Sequence, residues 1–247
     1  MDKVNGGKMS FIYGLFLSAI SGLLLGAAYP PVGYSQVIWI ALAPLFIALM
    51  KFAPSDGAFG FYCFTSVALW LFGMVRKAPG GYEMLYALPV LCGVAAFLVT
   101  FKLRDILTRD NYRWFTAIGS VGFVAVEYVR SFLPTAQFAL LGTSQVGKPE
   151  YVQLASLFGV EGISFLIVVF NCTLALMLAN LRSFGNVKNH VTLNIMILVA
   201  LLGLNLYLLK VPIPEKGKVR AASVQIGFLP EEKEHPGEVG RSAELEK

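Results

Sequence analysis

No charged side chain occurs between Met9 and Met50. About 20 mostly apolar residues are enough for a helix to cross the hydrocarbon core of a bilayer, so this window holds two crossings. The segment Tyr29-Pro30-Pro31-Val32-Gly33 divides it, because paired prolines lack the N–H groups that a helix needs and clash with the preceding turn. Composition agrees with the window. Hydrophobic residues make up 56% of the chain and charged residues 14%, against about 25% charged in an ordinary soluble domain. Disordered chains, collagen-like repeats and disulfide scaffolds are excluded on the same grounds.

The charge-free windows predict an all-α polytopic membrane protein with about seven transmembrane helices. The first two are Met9–Ala28 and Gln36–Phe52, the second short and kinked by Pro44. Gly57–Val75, Met84–Phe101, Trp114–Phe132, Gly162–Leu181 and Val191–Leu209 follow. The apolar stretch Tyr151–Val160 is too short to span and reads as an interfacial or re-entrant helix feeding the sixth crossing.

Basic loops stay in the cytoplasm. With a cytoplasmic N-terminus the inner loops carry Lys3, Lys8, Lys51, Lys102, Arg104, Arg109, Arg113, Arg182 and Lys188. The outer loops carry only Arg76, Lys77, Arg130 and Lys148. The expected orientation is therefore N-terminus inside and C-terminal tail extracytoplasmic. Lys3 and Lys8 before an apolar run imitate a signal peptide, but no convincing small-residue cleavage site follows, so the run reads as a retained first helix. The net charge of +5 is explained by those loops. Without aromatic–basic interleaving, no nucleic-acid partner is expected.

Two domains are expected, a membrane domain over residues 1–210 and a tail over 211–247. Val211-Pro212-Ile213-Pro214 is a stiff exit, Val219–Ile226 reads as a short strand, and the rest is acidic and rich in breakers. A lone strand is not stable by itself, so the tail reads as the opening of a further domain.

Few side chains suggest chemistry. Glu127 and Arg130 sit three apart on one helix face, and ionisable groups in a span are costly and usually functional. They are candidates for binding a phospholipid headgroup, or for anchoring the helix at the interface by snorkelling. Gln145 lies in the polar segment Gln137–Gln145, between Pro134 and Pro149. That segment is either a plain loop or one that dips back to line a cavity, as irregular backbone does when protein shields it. Glu161, between Gly159 and Gly162, either joins that cavity or caps the sixth helix, whose dipole favours a carboxylate. Gly14, Ser18, Gly22 and Gly26 form a small-residue stripe for close helix packing, within the chain or between copies. Cys63, Cys92 and Cys172 lie in apolar runs, and His190 and His235 lack ligand partners at helical spacing. No metal, no cofactor and no catalytic residue within this chain are expected.

Several segments in order resemble the membrane domain of the bacterial apolipoprotein N-acyltransferase family. They are Ser21–Pro31 followed by Trp39–Leu45; Gly57–Phe61 with Leu69-Trp70-Leu71 and Gly80-Gly81; then Glu127-Tyr128-Val129-Arg130, Leu141–Gln145 and Leu157–Leu166; and last Val219–Gln225. The final piece resembles the first strand of the family's α/β, nitrilase-like domain. One departure is Gln137-Phe138-Ala139 where the family often has Phe-Pro-Trp.

The resemblance implies a transferase of the bacterial inner membrane. A phospholipid donates an acyl chain to a cysteine, and the thioester then acylates the N-terminal amine of a diacylglyceryl-modified lipoprotein. Its Glu-Lys-Cys triad belongs to the nitrilase-like domain, and none of the three cysteines here matches the nucleophile. By itself the chain is expected to be inactive and truncated. The alternatives are half of a split enzyme, which needs a separate nitrilase-like chain, and a non-catalytic lipid-binding or anchoring protein. A transporter fits less well, since no internal repeat or mid-membrane charge pair is visible.

Overall fold

The computed structural model describes residues 2–29, 32–53, 55–75, 114–132 and 140–211. The expected fourth span, Met84–Phe101, and the strand over 219–226 lie outside the described residues.

Helix α1 (Asp2–Ala28) packs along α4 (Asp56–Val75). Small residues set that approach. A β carbon on Gly14 would stand 2.3 Å from the Tyr62 ring, and one on Gly22 would stand 2.4 Å from the Ser66 carbonyl oxygen. Ser18 is fully buried and folds its hydroxyl onto the Gly14 carbonyl. Gly14 and Gly22 therefore serve packing within the chain. The Tyr62 hydroxyl then donates to the Phe11 and Phe52 carbonyls, at 3.0 and 3.1 Å.

The second crossing is broken, as Pro44 predicts, but more thoroughly than a single kink. A 3-10 turn (Ser35–Val37), α2 (Ile38–Ala41), α3 (Ala43–Ile47) and a π-helical turn (Ala48–Phe52) succeed one another. Asn171, reaching over from the helix α7 described next, occupies the gap between α2 and α3. Its Oδ1 accepts from the Leu42 and Ala43 N–H groups at 2.9 and 3.0 Å, and its Nδ2 donates to the Ile38 carbonyl at 3.0 Å. The freed backbone groups are thus satisfied without water, which the apolar surroundings require.

Further along come α5 (Phe115–Ser131), α6 (Pro149–Val152), α7 (Ala155–Ala179) and α8 (Phe184–Lys210). Helix α7 is the centre: 61% of its apolar window is buried inside the protein, against 22% for the window containing α8. It packs against α2, α3, α5 and α8. Helix α8 docks by one seam, Val187, Val191, Asn194, Leu198 and Asn205, and leaves Leu193, Met196, Val199 and Tyr207 exposed on its other faces. Such an apolar exterior suits lipid rather than water.

Among the described residues, four helical stretches are long and apolar enough to cross a membrane: Met9–Ala28, Ser35–Phe52, Ala155–Ala179 and Leu181–Lys210. Shorter apolar runs, Gly57–Trp70 and Phe115–Val129, lie in α4 and α5. Two boundaries differ from expectation. The seventh span does not begin at Val191: α8 starts at Phe184, because Lys188 and His190 stand in its first turns, where exposed polar groups cost little. Nor does the sixth begin at Gly162. Helical structure is present from Ala155 and breaks at Gly159, whose φ of 68° and ψ of −173° are non-helical. A left-handed φ favours glycine, and this break joins the short apolar segment to the span.

Candidate functional site

Between α5 and α6 the chain forms a 3-10 turn, Leu141–Gln145, inside the protein rather than on its surface. Leu141 and Gln145 have no exposed area, and Gly142 is also buried. Residues 133–139, which include Gln137-Phe138-Ala139 of that polar segment, lie outside the described residues.

Irregular backbone in an apolar interior must find partners, and here side chains from three directions supply them. Glu127 on α5 is 3% exposed, and its Oε1 accepts from the Leu141 N–H at 2.7 Å. Ser164 on α7 accepts from the next amide, Gly142, at 2.9 Å. Tyr29, just past α1, donates its hydroxyl to the Leu140 carbonyl at 2.8 Å. Within the turn, the Thr143 hydroxyl donates to the Leu140 carbonyl at 2.6 Å and the Ser144 hydroxyl to the Leu141 carbonyl at 2.7 Å. Gln145 ties the far end to the second crossing, its Nε2 donating to the Ser35 carbonyl at 2.9 Å and to Ser144 Oγ at 3.0 Å.

The turn also sits tight against the break in α7. A β carbon on Gly142 would meet the Val160 carbonyl oxygen at 2.5 Å, so only glycine lets the two backbones approach this closely. Past the turn, Gly147 adopts φ 92°. The chain then enters α6 and α7, whose junction is held by Asn205 of α8. Its Oδ1 accepts from the Leu154 N–H at 3.0 Å, and its Nδ2 donates to the Glu150 carbonyl.

Of the four residues proposed from the sequence, the structure brings two to one turn: Glu127 holds its beginning and Gln145 its end. Arg130 follows Glu127 by one turn of α5, and its side chain lies outside the described residues. Glu161 stands beside the break that the turn packs on, and among the described residues it makes no hydrogen bond to the turn. Its carboxylate folds over Gly159, where a β carbon would lie 2.5 Å from Oε2, at the start of the helical run after the break. The helix dipole favours a carboxylate there. Sequence reasoning missed Ser164, Tyr29 and Ser35. Ser164 stands in the quoted segment Leu157–Leu166 and is the one polar residue of Ile163–Ile167, which is the signal that could have found it.

Membrane-length helices gathered around a buried, side-chain-clamped polar turn define a polytopic helical membrane domain. Residues 21–173, more than half of the chain, match the model of the apolipoprotein N-acyltransferase N-terminal domain. The chain therefore belongs to the apolipoprotein N-acyltransferase family. Among its relatives, an apolipoprotein N-acyltransferase of Geobacter metallireducens is 28% identical over 168 residues, covering 64% of this chain and 32% of that protein. Apolipoprotein N-acyltransferase 1 of Treponema denticola is 25% identical over 194 residues, covering 72% and 34%. The Chlorobaculum tepidum apolipoprotein N-acyltransferase is 27% identical over 197 residues, covering 75% and 35%. The chain thus spans about a third of the length of the curated relatives it matches.

Proposed function

We propose that this chain is the lipid-handling membrane domain of an apolipoprotein N-acyltransferase, and that the turn at Leu141–Gln145 is where it holds lipid beside the reaction centre. The observation that carries the reading is the clamp on that turn: a buried carboxylate, Glu127, and a buried hydroxyl, Ser164, accept from consecutive amides. A connector left on the surface would give those amides to water, whereas this one is carried into the interior and fixed there by side chains of separate elements. A surface that must present polar groups to a ligand in fixed geometry needs such fixing.

On this reading the chain crosses the bacterial inner membrane seven times, with the N-terminus in the cytoplasm and residues 211–247 opening an extracytoplasmic nitrilase-like domain. The chemistry belongs to that domain. A cysteine thiolate attacks the ester carbonyl of a phospholipid, forming a thioester and releasing the lysophospholipid. The α-amine of a diacylglyceryl-cysteine then attacks the thioester, giving the amide and returning the thiol. A glutamate takes and returns the protons and a lysine stabilises the oxyanion. Glu127, Arg130, Gln145 and Glu161 hold and orient lipid, and the membrane domain brings donor and acceptor to the thiolate.

A phospholipid bearing a photoactivatable headgroup tests the reading on the chain in its native membrane. Labelling should fall on peptides spanning 127–164 and drop severalfold in Glu127→Ala. Labelling confined to the outer face of α8, or unchanged in that variant, overturns it.

A further inference from the structure

The hydrogen-bond inventory of the turn leaves one group over. Gln145 has no exposed area, and both bonds of its Nε2, to the Ser35 carbonyl and to Ser144 Oγ, fix the orientation of the carboxamide. Flipping it would set two carbonyl-type oxygens against each other. Its Oε1 is then buried with no hydrogen-bond donor among the described residues. The neighbouring hydroxyls cannot supply one, because Thr143 donates to Leu140 and Ser144 donates to Leu141. The Leu141 and Gly142 amides are taken as well, by Glu127 and Ser164. An orphaned buried acceptor is rare and calls for a donor beyond the described residues.

Resting on the lipid-binding reading above, we propose that Gln145 Oε1 is a specificity-determining acceptor: it takes an N–H or O–H of a phospholipid headgroup and so favours headgroups that carry a donor. An ammonium and a hydroxyl share this chemistry, and a trimethylammonium headgroup lacks it. The discrimination lies in one neutral hydrogen bond, so its size is modest, about fivefold in affinity.

The test uses the whole chain in detergent micelles, titrated with three lipids of identical acyl chains and followed by native mass spectrometry. Phosphatidylethanolamine supplies N–H donors, phosphatidylglycerol supplies O–H donors, and phosphatidylcholine supplies none. The first two should bind about fivefold tighter than the third. Gln145→Met, similar in shape but without the acceptor, should erase the ratio by bringing phosphatidylethanolamine and phosphatidylglycerol down to the level of phosphatidylcholine. Should the methionine variant fail to fold, the unaltered chain titrated with N-methyl and N,N-dimethyl phosphatidylethanolamine decides: each keeps one or more N–H donors and should bind like phosphatidylethanolamine, whereas a fall with each added methyl shows that headgroup size and not the donor sets the ratio. Equal binding of all three lipids by the unaltered chain, or a ratio unchanged in Gln145→Met, overturns the inference and assigns Oε1 to an internal water. If labelling near Glu127 succeeds while the three lipids bind alike, only the role of Gln145 falls. If no lipid labels that region, the lipid-binding reading falls with it.

Discussion

Asn171 and Asn205 make the same splice in two different places. Asn171 stands between the Leu42 N–H and the Ile38 carbonyl, and Asn205 between the Leu154 N–H and the Glu150 carbonyl. In an unbroken helix each of those pairs would bond directly, four residues apart. Each asparagine lends one acceptor and one donor and replaces the missing rung from a neighbouring helix. The two splices flank the polar turn, one within the crossing that Gln145 grips and one within the segment that leaves it.

The splices should show a graded energetic signature. Asn171→Ala strips partners from the Leu42 and Ala43 amides and the Ile38 carbonyl, Asn205→Ala from one amide and one carbonyl, and Asn194→Ala only from the Thr116 hydroxyl. At about 1 kcal/mol per interhelical bond, the losses should fall in that order, from roughly 3 to roughly 1 kcal/mol. Denaturant unfolding in detergent measures them. An Asn194→Ala loss as large as that of Asn171→Ala contradicts the splice.

At Glu127 the acceptor can be separated from the charge. Glu127→Gln retains an oxygen for the Leu141 amide and should cost well under 1 kcal/mol if that bond is the main one. Glu127→Ala leaves the buried amide unmet, at about 1–3 kcal/mol. Hydrogen exchange at Leu141 should accelerate in the alanine variant and not in the glutamine variant. Equal acceleration in both would mean that the negative charge holds the turn.

Two glycines offer a paired comparison. A β carbon at Gly142 would meet backbone, the Val160 carbonyl oxygen, while one at Gly122 on α5 would meet nothing within 4 Å. Gly142→Ala should lower the unfolding midpoint by the equivalent of about 1–3 kcal/mol. Gly122→Ala should raise it slightly, by up to about 1 kcal/mol, through helix propensity. Similar effects at both positions would deny the close approach of turn and helix.

Topology can be read with a fusion. A reporter placed after Lys210, the last residue of α8, should be active outside the cytoplasm. Cytoplasmic activity there contradicts the seven-crossing arrangement and the position of the tail.

Much of the scaffold was legible because charge marks the ends of membrane helices. Proline marks them too: α1 ends at Ala28, just before Pro30-Pro31. Charge also hid the start of α8, since Lys188 closed the window while the helix ran on past it. Pro44 announced a break, but nothing in its neighbourhood names Asn171, which lies 129 residues beyond Leu42. Glu127 stood out as a carboxylate in an apolar run. Its partner did not, because it is a backbone amide, and amides have no signature in sequence. Ser164 and Tyr29 were hidden by being ordinary residues whose role arises only from what they face.

The splice at Pro44 also orders events in time. The α2–α3 break leaves the ribosome long before the residue that completes it, with 129 positions separating Leu42 from Asn171. At about 5–20 residues per second, the delay is on the order of ten seconds. Through that interval the two amides and the carbonyl at the break must be kept company by translocon, water or headgroups. The early half of this domain is therefore a dependent of its later half, and its membrane integration is finished only when α7 arrives.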